Sequence, residues 1–417
     1  MRRVVITGLG AMTALGEGAK PLWEAVKAGR SGIDFIDFDG GPEKWQTIGA
    51  RIRDFEPEKY VPQRKALKVM ARDIQLAVAG ASLAMEDSGI KNILYDPDRF
   101  GVILGSGVLN HELDELAYSV QNSLDEQGKL DLQKFGSAGL SSLFPLWLLK
   151  YLPNMPACHI SIIFDLRGMN NTITAGASGG LQAVGEAFRI IQRGDADLMF
   201  AGASESKVNP VGLSEYKILG AFSGDAQDDP KKSYRPFDEK SGGFIVGEGA
   251  GLLLLEELEH AQKRGAKIYA EVAGFGSSYR EGHAIAMKSA LKDAQIQAEE
   301  INYLQASGIG IIREDRLETE AIREVFGPAG KNLWVSASKP VTGFTGFSAG
   351  ALDLVISTMA LGEQKIPPVL NFETSGKNAA FQTVTGTASG QKIKYVMTNA
   401  FGFNGQTASL VTQAFQG

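Results

Sequence analysis

Five consecutive residues, Gly176-Ala177-Ser178-Gly179-Gly180, spell G-x-S-x-G. In that pattern a serine on a sharp strand-to-helix turn is presented for attack on a carbonyl. Asn171-Thr172-Ile173-Thr174 precede it, and Leu181, Val184, Phe188 and Ile191 follow at helical steps. The context is strand, turn, helix, as a nucleophile elbow requires. A serine hydrolase also needs a histidine base, usually late in the chain after an acidic residue. The four histidines are His111, His159, His260 and His283, and none stands near the C-terminal end. A Ser178 hydrolase is therefore the alternative rather than the leading reading.

Two other residue types could carry chemistry. Cys158 is the one cysteine, which excludes an intrachain disulfide and an all-cysteine metal site. In the run Met155-Pro156-Ala157-Cys158 it is expected to be a small buried thiol. Gly8-Leu9-Gly10 follows the apolar run Val4-Val5-Ile6 as a dinucleotide loop would, but a third glycine is missing at the required spacing. A plain tight turn is expected there. No cofactor and no metal are called for.

These residues must be positioned by a sizeable scaffold. The chain has 417 residues, 44% hydrophobic and 22% charged, with 50 glycines, a composition typical of soluble α/β proteins. Val4-Val5-Ile6, Val102-Ile103-Leu104, Leu198-Met199-Phe200-Ala201 and Leu252-Leu253-Leu254-Leu255 are short apolar runs of the kind found in strands buried on both faces. Between them Leu67, Met70, Ile74, Val78, Ala81 and Met85 recur at helical spacing. A second strand-helix series begins near Lys267 and continues through Leu333-Trp334-Val335 and Val396-Met397-Thr398, so two similar halves are expected, 1–257 and 258–417. The polar stretch from Ala221 to Arg235 reads as a surface excursion. A net charge of −6 without Lys/Arg runs argues against nucleic-acid binding, and no signal peptide or membrane span is expected. With a single cysteine, a reducing cytoplasm is the expected location.

Longer stretches carry a resemblance. VVITGLGAMTALG at the start, Thr174-Ala175-Gly176-Ala177-Ser178-Gly179 with the LQAVGEAFRIIQRGDADLMFAGASE that follows, Arg235-Pro236-Phe237-Asp238, GGFIVGEGAGLLLLEELEHAQKRGAKIYAEVAGFG, Ser338-Lys339 with Thr342-Gly343, and Asn399-Ala400-Phe401-Gly402-Phe403 together resemble the β-ketoacyl synthases over essentially the whole chain. The resemblance implies a thiolase-like fold, a duplicated α/β/α/β/α arrangement with mixed five-stranded sheets. It also implies that a nucleophilic cysteine belongs at Gly176, and that two histidines serving malonyl decarboxylation belong at Ser307 and Phe344. Glycine cannot be acylated, and neither serine nor phenylalanine replaces an imidazole. Ile309 and Ile311 stand where the family has hydroxyls for the phosphopantetheine arm, and Ser278 to Ala284 is shorter than the loop of catalytic members. Lys339, Asp315 and Glu318 match a buried lysine and acidic partners that brace the site, and are expected here as a structural network.

Three losses with intact fold motifs resemble the chain length factor of type II polyketide systems, as does Leu149-Lys150-Tyr151-Leu152-Pro153-Asn154-Met155-Pro156. The implied function is a non-catalytic subunit that pairs with an active β-ketoacyl synthase, works on acyl carrier protein through the complex, and helps set polyketide or polyene chain length. Val108, Leu109, Phe144, Trp147, Leu148 and Phe403 are the implied tunnel or interface residues. The alternatives are a decarboxylating ketosynthase homologue, the Ser178 hydrolase, and a structural self-dimer.

Overall fold

The computed structural model describes the whole chain except residues 39–44, 91–94, 110–111, 221, 224–228, 281, 375–380, 386–387, 390, 404 and 417. Its first half reads β1 (Val4–Thr13), α1 (Arg72–Asp87), β2 (Phe100–Gly105), α2 (Met155–Phe164), β3 (Asn170–Ile173), α3 (Gly179–Arg193), β4 (Leu198–Ser206) and β5 (Glu248–Glu257). The second half reads β6 (Ala270–Tyr279), α4 (His283–Ala294), β7 (Ile301–Gln305), α5 (Ile312–Phe326), β8 (Trp334–Ser336), α6 (Ala349–Glu363), β9 (Tyr395–Phe401) and β10 (Gln406–Gln413).

Both halves are wired identically. The spatial order is β1-β5-β4-β2-β3 in the first and β6-β10-β9-β7-β8 in the second. In each, the last strand is antiparallel to both its neighbours, while the next two contacts are parallel. The two five-stranded arrays meet where β1 pairs β6 at Val4↔Val272, Val5↔Glu271 and Ile6↔Ala270. This is the expected layered, duplicated α/β fold. Among the described residues no helix is long and apolar enough to cross a membrane.

Helices α3 and α6 lie between the sheets, where Leu181, Val184, Phe188 and Ile191 of one and Leu352, Val355 and Ile356 of the other share a core with strand residues such as Leu253, Val396 and Leu410. Helix α6 is buried almost all round, the condition under which a helix can be apolar on every face. Helices α1 and α2 cover the outer face of the first sheet, and α4 and α5 that of the second.

Three expectations are corrected. Gly8-Leu9-Gly10 is not a turn but the middle of β1. A β-carbon would stand 2.3 Å from the Ala84 carbonyl oxygen at Gly8 and 1.9 Å from that of Gly80 at Gly10, so glycine is there to let α1 approach the strand. The helix foreseen from Leu67 starts only at Arg72, because Met70 and Ala71 are extended and the Arg72 guanidinium is held by the Glu248 carboxylate at 2.7 Å and the Ile52 carbonyl at 2.8 Å. The stretch from Ala221 to Arg235, partly outside the described residues, is anchored inward at its end. Tyr234 is fully buried, and its hydroxyl donates to the Ile309 carbonyl at 2.7 Å.

Candidate functional site

The carboxyl ends of β3, β7 and β9 and the amino ends of α3 and α6 converge, bringing Gly176, Ser307 and Phe344 into one region. Gly176 opens the turn into α3 with φ +54°, and the nearest atom to a β-carbon built on it is Gln406 Oε1 at 3.8 Å. That oxygen is buried and has no hydrogen-bond partner among the described residues. Space for a side chain therefore exists at Gly176, at the cost of a left-handed backbone that L-residues adopt unwillingly.

Ser178 does not behave as an exposed nucleophile. It is fully buried, its Oγ donates to the Ala175 carbonyl at 2.8 Å, and it accepts from Gln182 Nε2 at 2.9 Å. Neither partner is a general base, so the hydrolase reading fails on geometry. The reason lies in the internal repeat. Gly346-Phe347-Ser348 opens α6 in the same way, with φ +53° at Gly346 and Ser348 Oγ donating to the Thr345 carbonyl at 2.9 Å. Glu205 packs so closely on Gly346 that a β-carbon would lie 2.1 Å from its carboxylate. The G-x-S pattern is a way of starting the two central helices, and its recurrence in both halves was the sequence signal.

Ser307 is buried, and its Oγ is used locally, accepting from the Phe401 N–H at 3.0 Å and donating to the Phe401 carbonyl at 3.3 Å. Phe344 is only 1% exposed. Its ring centroid lies 4.8 Å from that of Phe244 and 6.0 Å from those of Tyr216 and Phe403. Ile309 and Ile311 pack into the same cluster. A region that would have to be polar for proton transfer is thus filled by interlocked aromatic rings.

Beneath this cluster is a polar brace. Lys339 Nζ donates to Asp353 Oδ2 at 2.8 Å and also to the Ser307 carbonyl, and Gln305 Nε2 reaches Asp353 Oδ1 at 3.0 Å. The acidic partner of Lys339 is therefore Asp353, which the sequence reading passed over, although one Asp in the apolar run Ala349–Glu363 could have marked it. Glu318 instead accepts the N–H groups of Ser307 and Gly308 at 2.9 Å each, and Asp315 those of Phe237 at 2.8 Å and Gly310 at 3.0 Å. Burial pushes Asp315 up to about 7, against the lowering effect of those two donors, and burial raises Glu318 as well. Both carboxylates hold the loop that carries Ser307.

The implied tunnel residues fall into separate places. Phe403 belongs to the aromatic cluster, and Leu109 is buried in the outer core of the first half. Val108 is 70% exposed, Phe144 50% and Leu148 59%, while Trp147 is partly buried against Tyr151, with ring centroids 5.1 Å apart. Outside Phe403 a cavity of about 350 Å³ is lined by Arg280, His283, Arg313, Glu314, Leu317 and Gly405. His283 is buried with its ring centroid 4.4 Å from that of Phe401, His260 pairs with Glu256, and His111 lies outside the described residues. Cys158 is half-buried rather than buried. Among the described residues no group of His, Cys, Asp and Glu could hold a metal ion.

Residues 1–261 match the β-ketoacyl synthase N-terminal domain and residues 269–373 the β-ketoacyl synthase C-terminal domain. The chain is 36% identical over 422 residues to the 3-oxoacyl-[acyl-carrier-protein] synthase 2 of Coxiella burnetii, with 98% of each chain covered. Among solved structures it superposes on a β-ketoacyl synthase from Burkholderia phymatum with a TM-score of 0.86 and 30% identity, all of both chains being covered. The ishigamide ketosynthase/chain length factor gives a TM-score of 0.83 and 27% identity, again with full coverage.

Proposed function

Because the chain belongs to the β-ketoacyl synthase family and yet carries Gly176, Ser307 and Phe344 where that chemistry calls for cysteine and two histidines, we propose that it is a non-catalytic, chain-length-determining subunit. It pairs with a cysteine-bearing synthase that extends acyl chains on an acyl carrier protein. The observation that carries this reading is the state of the site: Gly176 leaves its space without a reactive group, and the other two positions are not merely substituted but built into other structure. Phe344 sits in a five-ring cluster with Tyr216, Phe222, Phe244 and Phe403, and the Ser307 hydroxyl is used by Phe401. A site decaying without function would be expected to lose packing as well.

The surface supports a partner. Among the described residues β3 is the outer strand of its sheet, and the excursion between β2 and α2 exposes Leu113, Tyr118, Leu132, Leu140, Phe144 and Leu148. An unpaired edge beside so many exposed apolar side chains is the usual mark of a protein interface. The relatives named as synthases favour the same fold and the same kind of carrier-borne substrate, with the condensation itself assigned to the partner. The division into halves 1–257 and 258–417 belongs to this proposal, since β5 ends at Glu257 and β6 begins at Ala270.

The test is co-expression with a synthase that carries cysteine and both histidines, followed by light scattering and a condensation assay. We expect a one-to-one complex whose product length changes when this chain is replaced by a homologue. Failure to assemble with any synthase encoded beside it would overturn the reading.

A further inference from the structure

At the carboxyl end of β1, between the turn after Thr13 and the hairpin Asp34–Phe38/Trp45–Gly49, lies a groove of about 390 Å³. It shares no residue with the Gly176–Phe344 site. Arg30, Arg51, Arg53 and Lys231 line it, with Glu17, Asp34 and Asp54 as the lining carboxylates. Most of those carboxylates are spoken for. Asp34 holds Arg53 at 3.2 Å, and Glu17 is taken by Lys59 from outside the groove. Among the described residues no carboxylate lies in ion-pair distance of Arg30, Arg51 or Lys231, and only Asp54 is left without a cation.

Three cations from three separate segments are thus gathered at one concave surface against one free carboxylate. Like charges converging in a cleft raise the local potential and attract a counter-charge from solution. The wall that carries Arg30 is fixed, because Ser31 Oγ donates to the Pro340 carbonyl at 2.7 Å and the Gly32 N–H to the Val341 carbonyl at 2.8 Å. Met12 and Ile36 give the groove an apolar floor. A fixed wall lowers the ordering cost of binding, and guanidinium groups suit phosphate and carboxylate oxygens in a forked geometry. We propose that this groove binds a small organic anion bearing phosphate or several carboxylate groups. The proposal is independent of the reading of the Gly176 site.

The experiment is isothermal titration calorimetry of the full chain at physiological salt, with sodium pyrophosphate in one arm and citrate in the other. One saturable site per chain is expected for at least one probe, the better probe telling phosphate from carboxylate. Arg30→Ala and Arg51→Ala should each weaken it about tenfold, the loss of one charge-assisted contact. Arg316→Ala, which removes an exposed arginine paired with Glu320, should leave it unchanged, and unaltered melting temperatures would show that the variants are folded. Absence of saturable binding in both arms, or equal weakening by Arg316→Ala, would overturn the proposal.

Discussion

Lys339 and Asp353 form an ion pair of 2.8 Å in which the side chains are only 3% and 2% exposed. Removing one member strands the other charge in a dry interior. Asp353→Ala should therefore destabilise the chain by about 3–5 kcal/mol, whereas the double change Lys339→Met with Asp353→Leu should recover much of that loss. Urea denaturation of the three proteins checks this. A double variant no better than the single one would show that the Ser307 carbonyl and Gln305 contacts, rather than the charges, matter most.

The isolated chain should release no carbon dioxide from malonyl-carrier protein, and Gly176→Cys alone should not change that. A thiol fits the space beside Gln406, but the enolate would face Phe344 and Ser307, which offer no imidazole. General acid-base assistance is commonly worth about 10²–10⁴-fold. The backbone at φ +54° should make the single variant less stable than the wild type by about 1–3 kcal/mol. Turnover by Gly176→Cys above a heat-killed control would relocate the site.

A fluorophosphonate should leave Ser178 unlabelled, since its hydroxyl is buried and bonded to Ala175 and Gln182. Ser178→Ala should cost about 0.5–1.5 kcal/mol of stability, matched by a similar loss for Ser348→Ala in the other half. Intact-mass spectrometry and thermal melting read the two outcomes.

In the proposed complex with a co-expressed synthase, Phe144→Ala and Trp147→Ala should lengthen the dominant product if these side chains end the acyl tunnel, because a bulky group there excludes added carbons. Their costs to the isolated chain should differ. Phe144 is half exposed and its truncation should cost little, while Trp147 packs against Tyr151 and should cost more. Mass spectrometry of carrier-bound products, with size exclusion to show the complex intact, decides. Unchanged length in both variants would leave these residues as interface only.

His260 Nδ1 lies 2.6 Å from Glu256 Oε1, and that hydrogen bond holds its pKa above the ordinary 6.5 despite partial burial. A raised histidine pKa stabilises fully below the unfolded value and is lost as pH rises through the folded one. The melting temperature should accordingly decline from mildly acidic to alkaline pH, and the decline should be shallower in His260→Gln. An identical slope in both proteins would remove His260 from the account.

The sequence alone determined the family resemblance, the layered fold and the residue types at Gly176, Ser307 and Phe344 on which the proposed function rests, because these depend on residue type at a known place in a motif. A glycine cannot be a nucleophile in any environment. Apolar runs such as Leu252-Leu253-Leu254-Leu255 announce a strand buried on both faces, whatever packs against it. The roles of the polar residues could not be read in this way, since they depend on distance. Lys339 is 14 residues from Asp353 and 32 from the carbonyl of Ser307, and only folding decides which acid it meets. The same holds for Gly8 and Gly10, whose purpose is the backbone of a helix some seventy residues away, and for Ser178, whose motif suits a nucleophile until burial and two local hydrogen bonds remove it. Motif chemistry is local and survives in one dimension, but burial, pairing and exposure are properties of the packed molecule.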